Sequence, residues 1–321
     1  MFAVNKGNEA IIQQILSEIE KYQTVIIQRH RDADPDAIGS QVGLAQLLRI
    51  SYPHKTIYTV GEEEPIFDWI GKMQSVEELT YSNALVIVVD TPSRERISGS
   101  HYFLGAQTIK IDHHVNMDPF ADLNWTDESF SSASEMIYYL VAHSKNHLKL
   151  DKNSARCLYA GIVGDTGRFL YDDTSSYTFF VASKLLEYGF DAPTVNRFEE
   201  DMSPKVAKLM AYVLQNVTIL DSGLAYIILN QQMLQKMALS SGEVDAIIPV
   251  VGKITTVKIW AIFRENENYT YHANLRSKKA VVYDIAKKHH GGDHPLSSGA
   301  DAKSKAEIKQ IIEELNTLLS N

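Results

Sequence analysis

Eight side chains in four short segments could carry chemistry in this sequence. An apolar, β-branched stretch at 24–28 runs into His30, Asp34 and Asp36. A second, at 85–89, runs into Asp90, and a third, at 108–111, into Asp112, His113 and His114. Asp165 stands in Gly164-Asp165-Thr166-Gly167, at a glycine-flanked helix end. Singly, each has an ordinary explanation: Asp34 before Pro35 makes a good helix N-cap, Asp90 could cap a turn, and the histidines could be surface residues. Four carboxylates and two imidazoles brought to one place would repel and titrate badly without cations. The joint pattern therefore reads as a metal site. Imidazole and carboxylate without thiolate excludes a structural zinc–cysteine site and suits Mn2+, with Mg2+, Co2+ or Fe2+ as alternatives. More than four ligands argues for two ions sharing a bridging carboxylate, a setting that makes bound water reactive near neutral pH.

For these segments to meet, their strands must end on one rim. Ile11, Ile12, Ile15, Leu16 and Ile19 repeat at helical spacing, and 37–50, 134–142, 154–163 and 175–188 also read as helices. Strands at 24–28, 55–60, 85–89 and 108–111 alternate with them. Such alternation implies parallel pairing through right-handed crossovers, and open parallel sheets bind ligands beyond the carboxyl ends of their strands. The expected fold is α/β: a doubly wound, mainly parallel sheet over 1–188. A helical linker at 189–215, punctuated by Gly189, Pro193 and Pro204, would carry a hinge. A smaller α+β domain over 216–321 would hold a mixed, mostly antiparallel sheet, with hairpins at 217–229 and 257–275 and helices at 243–249, 281–289 and 303–319.

Composition narrows the classes. The chain has 321 residues, 45% hydrophobic and 22% charged, ordinary for a folded protein of about two domains. No apolar run reaches the roughly 18 residues of a membrane span. The first residues show no signal-peptide pattern, and the single cysteine, Cys157, points to a reducing, cytoplasmic setting. Cys157 reads as a buried apolar residue in a helix, not a nucleophile. The net charge of −9 falls wholly within residues 1–190. That disfavours a nucleic-acid coat protein, and a binder of long duplexes. The stretch 252–288 is basic, through Lys253, Lys258, Arg264, Arg276, Lys278, Lys279, Lys287 and Lys288.

The segments His30-Arg31-Asp32-Ala33-Asp34-Pro35-Asp36-Ala37-Ile38-Gly39-Ser40, Val89-Asp90-Thr91, Asp112-His113-His114 and Gly164-Asp165-Thr166-Gly167 resemble the four motifs of the DHH phosphoesterase family. The run 291–300 resembles the family's associated C-terminal substrate domain. Together they span nearly the whole chain and are most similar to the short, two-domain bacterial nano-RNase branch. The resemblance implies hydrolysis of oligoribonucleotides a few residues long and of 3′-phosphoadenosine 5′-phosphate, by metal-activated water without a covalent intermediate. It implies His30 and Asp34 on a first metal, Asp36, His113 and Asp165 on a second, and Asp90 between them. His114 would hold the scissile phosphate, and Asp112 would orient a neighbouring imidazole. The residues alone agree on the set without assigning each to an ion.

The second domain would choose the substrate. Arg276, Ser277, Gly291, Gly292 and His294 are the candidate binding residues, the glycines by exposing backbone N–H groups to phosphate. Asp293 and Ser297 depart from the family pattern, and a carboxylate there would weaken anion binding. His289 and His290 read as a solvated pair, and Trp260, Phe263, Tyr269 and Tyr271 as core more often than base-stacking platforms. The same chemistry would also serve a cyclic or linear dinucleotide phosphodiesterase, or a manganese inorganic pyrophosphatase. A nucleotide-binding regulator with a structural metal is the non-catalytic alternative. A long-strand exonuclease would want a longer positive channel. A homodimer is compatible with the sequence.

Overall fold

A computed structural model describes residues 8–99, 101–239, 241–292 and 295–319. The chain divides into two compact units between Asp201 and Met202. In the first, α1 (Glu9–Lys21) buries Ile12, Ile15, Leu16 and Ile19. There follow β1 (Thr24–Gln28), α2 (Pro35–Ser51), β2 (Thr56–Thr59), β3 (Ala84–Val89), β4 (Gln107–Asp112) and β5 (Leu123–Thr126). Helices α3 (Ala133–Ala142), α4 (Lys152–Asp165), α5 (Ser176–Leu186) and α6 (Ala192–Glu200) complete the unit. The sheet runs β2-β1-β3-β4-β5 with every pairing parallel. Central β3 is buried at every position. Leu85, Ile87 and Val89 join one core with residues of α1 to α4. Val86 and Val88 face Tyr81, Ile97 and the partly buried Tyr102 and Phe120, contributed by short connecting segments. Strand β5 was not anticipated, because Leu123 and Trp125 alone mark it as apolar.

Helices α2 and α4 approach backbone to backbone. A Cβ at Gly39 would lie 2.6 Å from the Cys157 carbonyl oxygen, and one at Gly164 would lie 2.7 Å from Pro35 Cβ. This closeness brings the first turn of α2 beside the last turn of α4, where Asp36 and Asp165 sit.

The second unit contains α7 (Pro204–Asn216), β6 (Thr218–Ile219), β7 (Leu224–Leu229), α8 (Gln231–Met237), α9 (Ser241–Asp245) and α10 (Ile248–Gly252). After them come β8 (Ile259–Glu265), β9 (Tyr271–Ser277), α11 (Tyr283–Lys288), β10 (Ser297–Ala302) and α12 (Lys305–Leu318). Its sheet order is β10-β9-β8-β7-β6, parallel between β7 and β8 and antiparallel elsewhere. Ile259, Ala261, Phe263, Tyr271, Ala273 and Leu275 pack with α11 and α12 on one face. The expected helix at 243–249 is instead two short ones, α9 and α10. Pro249 lies in the first turn of α10, where its missing N–H costs nothing. The expected linker at 189–215 is likewise two helices, α6 in the first unit and α7 in the second. No helix among the described residues is long and apolar enough to cross a membrane.

Candidate metal centre

Parallel register puts the carboxyl ends of β1, β3 and β4 side by side: Gln28 lies against Val88 and Val89 against Ile111. The loops that leave those ends carry the predicted ligands. Asp90 lies at the middle of the cluster. Its Oδ2 is 3.4 Å from His30 Nε2 and its Oδ1 is 3.3 Å from His113 Nε2. His30 Nε2 is also 3.8 Å from Asp34 Oδ2, and His113 Nε2 is 3.1 Å from Asp165 Oδ2. Two donor sets result, His30/Asp34/Asp90 and Asp36/His113/Asp165, each compact enough to hold one ion. Asp90, His113 and His114 form a third grouping of the same kind.

Each side chain is fixed by its local structure. Asp34 does both things the sequence suggests. Its Oδ1 accepts the Ala37 N–H at 2.9 Å as the N-cap of α2, while Oδ2 faces His30. The Nδ1 of His30 lies 2.7 Å from the Arg31 carbonyl, a contact that takes an Nδ1 proton and turns Nε2 toward the cluster. The guanidinium of Arg29, fully buried, donates to the His30 carbonyl at 2.7 Å. Asp36 accepts the Ala133 N–H at 2.7 Å and the Ser134 N–H at 3.0 Å, so it sits at the positive end of α3. Gly161 makes room for it: a Cβ there would lie 2.5 Å from Asp36 Oδ1 and 2.1 Å from Ser134 Oγ. Asp90 itself has φ +49°, a left-handed backbone that Asp tolerates better than most residues. Asp112 lies behind the cluster, with Oδ1 2.8 Å from His114 Nδ1 and Oδ2 3.2 Å from the buried Lys110 ammonium.

The electrostatics show a cluster short of positive charge. Burial alone would push the His30 imidazole down, but Asp90 and Asp34 outweigh it and raise it to about 9. His113 is likewise raised despite its burial, by Asp165 and Asp90. Burial, with the charges of Asp90 and Asp165, pushes Asp36 well above the usual carboxylate range. Burial raises Asp165 to about 6 against the opposing pull of His113. Asp90 is held well below the usual range: its burial acts upward, but His113, His30 and His114 outweigh it. Protons on the imidazoles thus stand where cations would. Asp90 Oδ1, His113 Nε2 and Asp165 Oδ2 are buried without a hydrogen-bond partner, although the His113 nitrogen lies 3.3 Å from the first oxygen and 3.1 Å from the second. Converging lone pairs of this kind fit divalent ions, and the oxygen and imidazole donors fit hard or borderline ones.

The candidate binding residues of the second unit are arranged differently. Arg276 on β9 pairs across to Ser297 on β10, and its Nη1 donates to the Leu275 carbonyl at 3.0 Å. Ser277 is buried, with Oγ accepting the Lys279 N–H at 3.2 Å. Gly291 and Gly292 do not offer open amides. Gly291 N–H donates to Ala286 O and Gly292 N–H to Gly299 O, each at 3.0 Å. A Cβ on Gly291 would lie 2.0 Å from Gly299 O, so the glycine is needed for close backbone packing. Asp293 and His294 lie outside the described residues. His289 is not solvated as expected. It is 4% exposed, with Nδ1 2.9 Å from Glu307 Oε1, which ties α11 to α12. Phe263 and Tyr271 are core, Trp260 donates from Nε1 to the Ile248 carbonyl, and Tyr269 is exposed in a turn. Cys157 is buried and its thiol is pushed up to about 11 by that burial.

Lys110 and Arg29 lie outside the motifs that mark the ligands in the sequence. A signal existed for the lysine: it interrupts an apolar strand two residues before Asp112, on the same face.

Comparison with known proteins follows the same division of the chain. Residues 24–162 match the model of the DHH family, N-terminal domain, and residues 225–321 that of the DHHA1 domain. The chain is 48% identical over 305 residues to the probable bifunctional oligoribonuclease and PAP phosphatase NrnA of Streptococcus mutans, covering 95% of this chain and 98% of that protein. It is 40% identical to the bifunctional oligoribonuclease and PAP phosphatase NrnA of Bacillus subtilis, covering 95% and 97%. An exopolyphosphatase-related protein from Bacteroides fragilis has the same fold, with a TM-score of 0.88 at 23% identity over 99% of this chain and 100% of that one.

Proposed function

The chain belongs to the DHH family, and from that premise we propose that it hydrolyses short oligoribonucleotides to mononucleotides and 3′-phosphoadenosine 5′-phosphate (PAP) to AMP. The observation that carries this reading is the two-sided reach of Asp90, which addresses a His–Asp set with each carboxylate oxygen. On this reading His30, Asp34 and Asp90 would hold one divalent ion, and Asp36, His113 and Asp165 would hold a second, with Asp90 offering an oxygen to each. Bound there, the ions would supply water activation and neutralise charge on the phosphoryl oxygens. Mn2+ suits the mixture of imidazole and carboxylate, ahead of Mg2+ or Co2+.

The residues do the rest. His30 and His113 must present neutral Nε2 atoms, so loading the site releases protons. Asp112 holds His114 Nδ1, which directs Nε2 to the phosphoryl oxygen that gains charge as the bond to the leaving ribose oxygen breaks. No side chain need be a nucleophile, and the buried Cys157 is unsuited to be one. Hydrolysis is assigned to the first unit. Substrate choice is assigned to the second, through Arg276 and Ser277, with Gly291 and Gly292 holding the backbone beside β10 and His294 as a further candidate contact. A single cysteine, which cannot close an internal disulfide, supports a reducing setting such as the cytoplasm.

The test is a panel with Mn2+, with and without EDTA: a dinucleotide, a five-mer, a twenty-mer, PAP, cyclic di-AMP and pyrophosphate. Dinucleotide, five-mer and PAP should be hydrolysed, and EDTA should abolish all three reactions. Faster cleavage of cyclic di-AMP or pyrophosphate would replace this substrate reading, and full activity in EDTA would end it.

A further inference from the structure

Lys110 is 0% exposed in the middle of β4, an expensive place for an ammonium group unless every donor is used. Its surroundings largely account for it. Nζ donates to the Pro92 carbonyl at 2.9 Å and to the Asp118 carbonyl at 3.4 Å, lies over the ring of Phe120 at 5.1 Å, and forms an ion pair at 3.2 Å, outside hydrogen-bond geometry, with Asp112 Oδ2. The nearby Asp118 carboxylate is taken by Arg94, which holds it at 2.8 Å. One cation therefore ties the loop after Asp90, through Pro92, to the segment that carries Asp112, His113 and His114.

Asp112 is also 0% exposed. Its Oδ1 meets both the ring Nδ1 of His114, at 2.8 Å, and the His114 backbone N–H, at 3.3 Å. We propose that Lys110 is a positioning residue for phosphoester hydrolysis: it anchors Asp112, and Asp112 sets the His114 ring against the scissile phosphate. This rests on the assignment of His114 to phosphate made above. The alternative is that Lys110 merely fills and bridges the space beneath the sheet. The two differ in what the lysine acts through. A positioning residue loses its effect once His114 is gone, whereas a structural one does not.

The test is a double-mutant cycle with PAP in saturating Mn2+. Lys110→Met, one atom shorter, keeps an unbranched side chain that packs against Phe120 without charge. It should lower kcat about 30-fold, by analogy with losses of groups that orient catalytic or ligating histidines, and leave KM within about threefold. In a His114→Ala background the same change should cost less than about threefold. A separate readout needs no turnover: 15N NMR of the His114 ring should report a proton on Nδ1 in the wild type and a changed ring signature in Lys110→Met. Should Lys110→Met fail to fold, Lys110→Gln repeats the comparison, since it still donates to the Pro92 carbonyl. Equal losses with and without His114, an unchanged ring signature, or misfolding of both variants would overturn the proposal. If the wild type turned over neither PAP nor the dinucleotide, the functional reading would fall, and the ring signature would still decide whether Lys110 acts on His114.

Discussion

Asp90→Asn is the most telling single change, and the geometry sets its size. The asparagine keeps the shape of the side chain and tolerates the left-handed backbone at φ +49°. Alanine would add roughly 1–2 kcal/mol of backbone strain there and blur the result. Removing the carboxylate leaves one donor set with His30 and Asp34, whose side chain is half exposed and already caps α2. The other set keeps Asp36, His113 and Asp165. Tight binding should therefore fall from two ions to one, on the His113 side. With the shared ligand gone, the loss of stabilised charge should lower kcat about a thousandfold, about 4 kcal/mol of barrier. Calorimetric titration with Mn2+ gives the stoichiometry, and PAP turnover gives the rate. An Asp90→Asn protein that binds two ions tightly and works within about tenfold of wild type would refute the reasoning.

Protonation should be visible in stability. In chelated protein the His30 pKa is raised to about 9, so its contribution is complete below about pH 6.5 and is lost as pH rises through 9. Asp165, raised to about 6, acts in the same direction as pH rises through 6. The chelated protein should melt lower at pH 9 than at pH 6.5, and Mn2+ should raise Tm more at pH 9, where fewer protons must leave. An increment that does not change with pH would contradict this. Gly161→Ala puts a Cβ against Asp36 and Ser134 and should cost about 1–3 kcal/mol by overpacking. It should also weaken Mn2+ binding, and unaltered affinity would show that the helix approach does not set Asp36. Arg276→Gln should raise KM about tenfold with little change in kcat, and an unchanged KM would remove it from the substrate site. Cys157→Ala should retain turnover within about twofold, measured with PAP. Loss of turnover in a folded Cys157→Ala protein would reopen its exclusion as a nucleophile.

The ligand set was legible in the sequence because each ligand follows an apolar strand or ends a helix, and parallel pairing is the arrangement that brings such ends together. Asp34 and Asp36 could be placed because Pro35 marks the start of α2. What could not be read was the support. The contact of Gly39 and Gly161 across α2 and α4 depends on how two distant helices cross, and glycine in a helix has no single meaning in sequence. Lys110 looks like an ordinary strand lysine until the sheet buries it against Asp112. His289 looks solvated at a helix end until α12 covers it. Strands β5 and β10 carry small or polar residues at most positions, so no apolar pattern marks them and pairing with neighbours makes them strands. The glycine pair at 291–292 reads in sequence as amides open to phosphate, but those amides go to Ala286 and Gly299, a pairing that only the fold reveals.

The central claim is that these histidines and aspartates cage two divalent ions around Asp90. Anomalous diffraction at the manganese edge, from crystals of the Mn2+-loaded protein, tests it most directly. The account predicts two peaks flanking the Asp90 carboxylate, one beside His30 and Asp34 and the other beside Asp36, His113 and Asp165. A single peak, or manganese bound away from Asp90, would contradict it.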